Sequence, residues 1–178
     1  MMHPEHYAGT YTSPSGQTVT FAAVNNGLLL QGSDGQSFPL FARGDGLFWT
    51  ADPRFHTFGL QFGRDAGGNV VEVSSGPQWF TNQRYTGPRT FSYPAQWAAY
   101  SGEYEAVDAN GYFWPMHVYE LKGKLFADGS ELVPIKGRLF HIGTHMWQPA
   151  WLRFGEPLEG KTQLVSLPGQ TLYRTNPY

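Results

Sequence analysis

Tyr7-Ala8-Gly9-Thr10-Tyr11 and Tyr100-Ser101-Gly102-Glu103-Tyr104 carry one pattern, Tyr-x-Gly-x-Tyr, at two places in the same chain. Downstream of each copy, further short motifs recur in the same order. Gly27-Leu28-Leu29 is matched by Gly123-Lys124-Leu125, and Phe38-Pro39-Leu40 by Leu132-Val133-Pro134. Gly46-Leu47-Phe48 is matched by Gly137-Arg138-Leu139-Phe140, and Leu60-Gln61-Phe62-Gly63 by Leu152-Arg153-Phe154-Gly155. The spacing is about 92 residues, too long for a solenoid repeat and right for a whole small domain. The chain therefore reads as two copies of one unit, the first over 1–86 and the second over 98–178. The segment 87–97 is a linker, in which Gly87-Pro88 and Pro94 interrupt strand structure.

Each copy reads as a run of short strands. Over Gln17 to Ala23, Val19 and Phe21 fall on one face and Thr18 and Thr20 on the other, the period-two signature of a half-buried strand. Phe58, Leu60 and Phe62 alternate in the same way, as do Met116 and Val118 with His117 between them. Asn25-Asn26-Gly27 predicts a tight hairpin, because a type I′ turn needs positive φ. Lys122-Gly123 and Asp128-Gly129 mark further turns, and Pro94 opens one short helical turn over Ala95 to Tyr100. About eight strands per copy joined by short turns close most simply into an up-and-down barrel, since closure removes exposed edges. The expected fold is all-β: two tandem small antiparallel barrels.

Composition narrows the function classes. Of 178 residues, 22 are Gly and 13 Pro, and 16% are aromatic, which suits turns and strands rather than helices. The formal net charge is −2 with 12 Lys and Arg in all and no basic run, which argues against a nucleic-acid partner. No apolar stretch approaches the ~18 residues of a membrane-spanning helix, and the residues after Met1 lack the apolar core of a signal peptide. The chain has no cysteine, which excludes disulfides, thiolate catalysis and cysteine-bound zinc.

Catalytic patterns are missing. No Gly-x-Ser-x-Gly elbow occurs, no serine has Lys three residues later, and Gly160-Lys161-Thr162-Gln163 lacks the glycine of Lys-Thr-Gly. His141 and His145 have helical metal-ligand spacing, but Gly143 between them places them in strand and turn, so no metal site is expected. Asp34, Asp45, Asp65, Asp108 and Asp128 lie in turn-forming stretches, where Asp binds local backbone. Trp49, Trp79, Trp97, Trp114, Trp147 and Trp151 either fill barrel interiors or line a ligand cavity. The run Tyr112-Phe113-Trp114-Pro115 is hard to bury whole. Tyr112, Phe113 and Trp114, together with Trp79, are the candidate partner or ligand contacts.

The order of these motifs, twice over, resembles the C-terminal β-barrel domains of serine hydrolases of the β-lactamase and penicillin-binding-protein superfamily. That group includes D-aminopeptidase-like and esterase-like peptidases. The resemblance is closest over Gly76 to Pro88 and over Tyr100 to Arg174. It implies lipocalin-like barrels that pack on an N-terminal catalytic domain of the same polypeptide, shape its cleft and support oligomerisation. The family's Ser-x-x-Lys and Tyr-x-Asn residues belong to that other domain and have no counterpart here, so no residue of this chain is assigned a catalytic role. No cofactor is implied. A different reading stays open: a free-standing lipocalin-like protein binding a small apolar ligand inside a barrel.

Overall fold

The computed structural model describes residues 3–25, 27–32, 34–44, 46–107, 111, 113–143 and 150–175. Tyr112, His145 and Trp147, and the turn residues Asn26, Asp45 and Asp108, lie outside the described residues. The alternation in the first copy becomes eight strands: β1 (Gly9–Thr12), β2 (Thr18–Val24), β3 (Gly27–Gln31), β4 (Ser37–Ala42), β5 (Leu47–Thr50), β6 (Leu60–Arg64), β7 (Val70–Ser75) and β8 (Gln78–Thr81). They pair in chain order, all antiparallel, and β8 returns to β1 through Thr12 and Thr81 to close a barrel.

The second copy builds the same object with one addition. Its barrel runs β9 (Gly102–Val107), β10 (Phe113–Leu121), β11 (Lys124–Ala127), β12 (Ser130–Lys136), β13 (Leu139–Ile142) and β14 (Trp151–Phe154). It then skips a separate hairpin, β15 (Pro157–Leu158) with β16 (Lys161–Thr162), and resumes with β17 (Leu164–Leu167) and β18 (Gln170–Arg174). β18 closes on β9 through Tyr173 with Glu105 and Arg174 with Tyr104. The fold is all-β, two closed eight-stranded antiparallel barrels in tandem.

The chain divides into two compact units, Met1–Thr90 and Phe91–Tyr178. Residues 87–97 are shared between them. The 3-10 turn Ala95–Ala99 forms with Pro94 at its N-cap, and Trp97 and Tyr93 pack on the second core. Large rings carry too much apolar area to stay in a solvated connection.

Both interiors are filled by side chains, as barrels of this size are. In the first, Phe62 lies at the centre of a ring cluster, 5.1 Å from Tyr7, 5.0 Å from Phe21 and 5.5 Å from Phe48, all edge-on. In the second, Phe154 stacks on Tyr100 at 4.1 Å and meets Phe140 edge-on at 5.5 Å. The repeated motif has one meaning in both. The Tyr11 hydroxyl donates to the Tyr7 carbonyl at 3.0 Å, and the Tyr104 hydroxyl donates to the Tyr100 carbonyl at 2.6 Å. Closing that four-residue loop needs a backbone turned out of the ordinary range, and Gly9 (φ 135°) and Gly102 (φ 157°) supply it.

Registers correct three readings of the sequence. Val24 pairs with Gly27 and Leu121 with Lys124, so Gly27 corresponds to Lys124 rather than to Gly123. Leu40 pairs with Thr50 and Leu132 with Ile142, so Leu40 corresponds to Leu132 rather than to Pro134, two residues away. The turns after Val24 and after Leu121 have two residues each, and matching by glycine misplaces their ends. Phe58 belongs to the turn before β6, because Gly59 at φ 67° breaks the alternation there. Val19, Phe21, Met116 and Val118 do point inward, and His117 takes the opposite face.

Candidate functional site

Of the residues singled out by sequence, Phe113 and Trp114 are exposed, at 71% and 43%. They begin β10, where Phe113 pairs with Val107 and Trp114 with Ala106. Phe113 shares its strand face with Pro115. Pro115 lies beside Glu105, and Glu105 beside Tyr173, which is 63% exposed. Trp79 belongs to the first unit and is 6% exposed. Its indole N–H donates to Glu72 Oε2 at 2.8 Å, and its ring meets Tyr85 edge-on at 5.3 Å. The missing side chain of Gly63 makes room for Glu72, since a Cβ there would lie 2.5 Å from Oε1. Trp97 belongs to the second core. Sequence reasoning missed Phe41, 58% exposed and in register with half-exposed Trp49 across β4 and β5. The outward parity of β4 could have found it.

No group of three His, Asp or Glu among the described residues could hold a metal ion. His117 lies between carboxylates, Nδ1 at 3.2 Å from Asp128 Oδ1 and Nε2 at 3.7 Å from Glu103 Oε2. It ties β9, β10 and the β11–β12 turn together. His141 Nδ1 is 2.9 Å from the Gly143 carbonyl, to which it donates. The hydroxyls of Ser75, Thr81 and Ser101 are buried with no hydrogen-bond partner among the described residues, whereas a nucleophilic hydroxyl needs a base within reach.

The seam where last strand meets first is the most elaborate polar region. Arg174 ends β18 and reaches over the Tyr-x-Gly-x-Tyr motif. Its Nη1 donates to Ser101 O at 3.0 Å, its Nη2 to Ala99 O at 2.9 Å and to the Tyr104 hydroxyl at 2.7 Å, and its Nε to Thr162 O. The guanidinium also lies 4.9 Å from the Tyr104 ring centre, in cation–π range. The equivalent residue of the first barrel is Asn82, which follows β8 and acts on Tyr11. Gly102 must be glycine for a second reason, since a Cβ would fall 2.0 Å from Arg174 Nη1.

Burial pushes the Tyr104 hydroxyl up to about 12, while the charge and hydrogen bond of Arg174 pull the other way. Burial also raises Tyr11, Tyr100 and Tyr119. An unfolded tyrosine ionises near pH ~10. The folded protein therefore holds its protons longer, so its stability is fully present below about pH 10 and is lost as pH rises toward about 12. Urea unfolding at pH values spanning that window should show a fall of roughly 2–3 kcal/mol from Tyr104 alone. A flat profile would contradict its burial.

Each seam also opens outward into a cleft at the same place in the repeat. In the first barrel it measures about 270 Å³, with Glu5, His6, Gly9, Asn82 and Arg84 on its walls. In the second it measures about 800 Å³. Glu103 and Glu105 face it from β9, because Tyr104 and Ala106 take the inward positions. Leu158, Glu159 and Lys161 face it from the β15–β16 hairpin. No family model, no curated protein and no solved structure matches this chain.

Proposed function

We propose that the chain is a non-catalytic accessory module of a serine hydrolase of the β-lactamase and penicillin-binding-protein superfamily. In this reading it packs on the catalytic domain and shapes substrate access or oligomerisation. The observation that carries the non-catalytic half is the pair of ring-filled interiors. Phe62 and Phe154 occupy the space a calyx would leave open, so the available chemistry lies on outer surfaces. The exposed rings of Phe113, Trp114 and Tyr173 on one unit, and of Phe41 and Trp49 on the other, supply apolar area for such packing. The doubled motif order supports the choice of hydrolase, by resemblance.

Two tests apply. The purified chain is expected to leave a chromogenic β-lactam and a D-aminoacyl anilide unhydrolysed at the buffer rate, and turnover would overturn the non-catalytic reading. Sequencing the coding region upstream of Met1 tests the other half, since that region should encode a Ser-x-x-Lys domain. The lipocalin-like alternative predicts that fatty acids or fluorescent apolar probes raise the unfolding midpoint with concentration, because a ligand bound only to the folded state stabilises it. With interiors this full, no such rise is expected.

A further inference from the structure

The two barrels match strand for strand, but their outer faces differ in charge. In the second, Glu103, His117 and Asp128 form one row across neighbouring strands. The same row in the first barrel is Thr10, Thr20 and Gln31. The Lys124–Glu131 ion pair stands where the first barrel has Gly27 and Pro39, and Arg153 where it has Gln61. From β1 through β6, as far as the bulge after Gly63, no outward position carries a charge among the described residues. Arg64, beyond that bulge, sends its guanidinium to the Tyr7 hydroxyl and the Gly68 carbonyl.

The centre of this neutral face is apolar. Ala22 lies beside Leu29, and Leu29 beside Pro39. Phe41 follows Pro39 on the same face of β4 and lies beside Trp49, with Leu47 further along β5. Four strands at ~4.8 Å and about five residues at ~3.3 Å give a patch of roughly 320 Å² of sheet. An apolar patch of that size on a small domain marks a contact surface. At its margin the Thr10 and Thr20 hydroxyls bond each other at 3.0 Å, so covering them strands neither.

A face that meets an unlike partner selects it with charge. A face that meets its own image across a two-fold axis sets one patch against the same patch, where any charge faces its like. Neutrality over six strands, beside a charged counterpart in the same chain, fits the second case. We propose that the outer face of β2–β5 joins two copies of this chain in an isologous dimer, the Phe41–Trp49 pairs of the two copies packed on one another. The area lies at the low end of specific interfaces, so the dimer forms at micromolar concentration. The contact does not depend on the hydrolase reading, which the coding region upstream of Met1 tests separately.

Sedimentation velocity of the full chain from low to high micromolar concentration tests the proposal. The mass should rise from 19.9 kDa towards twice that value. Added sodium chloride should not weaken the association, because no charge at the contact is screened. Phe41→Glu should weaken it roughly tenfold or more, since the carboxylate would be buried without a partner. Phe41→Thr, which suits a strand, should weaken it in the same direction and guards against misfolding, which far-ultraviolet dichroism detects. Val133→Glu, the matching position of the second barrel, should leave it unchanged. A single mass at every concentration, dissociation by salt, or equal loss from Phe41→Glu and Val133→Glu would each overturn the proposal.

Discussion

Phe154→Ala is expected to destabilise the second unit by about 3–5 kcal/mol, the range for removing a buried phenylalanine and leaving its volume empty. Phe154 is fully buried, stacked on Tyr100 and edge-on to Phe140. Its neighbours sit on several different strands and cannot all close on the gap without moving the barrel wall. Urea unfolding followed by tryptophan fluorescence measures the loss, with Trp97 reporting from 6.4 Å beyond Phe140. Phe62→Ala should cost the first unit a similar amount, because Phe62 has the same role there. A loss below about 1 kcal/mol in either unit would mean that these rings are not the packed centre.

Arg174→Met is the second large effect, expected at about 2–4 kcal/mol. Methionine keeps most of the stem and removes the guanidinium. The carbonyls of Ala99, Ser101 and Thr162 then lose their donor at the seam where β18 meets β9. Chemical unfolding gives the size. The tyrosinate absorbance gives an independent sign: with the positive charge gone, Tyr104 should titrate still higher than about 12, since Arg174 is what holds it down. Asn82→Ala, the matching change in the first barrel, should cost less, because a neutral amide makes weaker hydrogen bonds than a guanidinium.

Much of the fold was legible in the residues. Period-two alternation in Thr18–Val24, the twofold Tyr-x-Gly-x-Tyr and the two-residue turns at 122–123 and 128–129 all act locally, and each formed as read. Register was not legible. The matches at Gly27 and at Phe38-Pro39-Leu40 slipped, because pairing is decided across strands while the residues compared were turn and edge positions. The contact surface was legible only in part. A large ring such as Trp79 is exposed or buried according to what covers it, and Glu72 and Tyr85 are neighbours only in three dimensions. The seam clefts could not be read at all, since they lie between the first and last strands of each copy.

That seam has a consequence for the nascent chain. Each barrel is completed by one or two residue pairs between partners about seventy positions apart. Seven strands must leave the ribosome before the eighth can join the first, and until then both ends of the growing sheet are unprotected edges. A stop within β8 or β18 would leave an open sheet with an adhesive border rather than a slightly smaller barrel. For this architecture, synthesis to the last strand of each copy separates a soluble unit from an aggregating one.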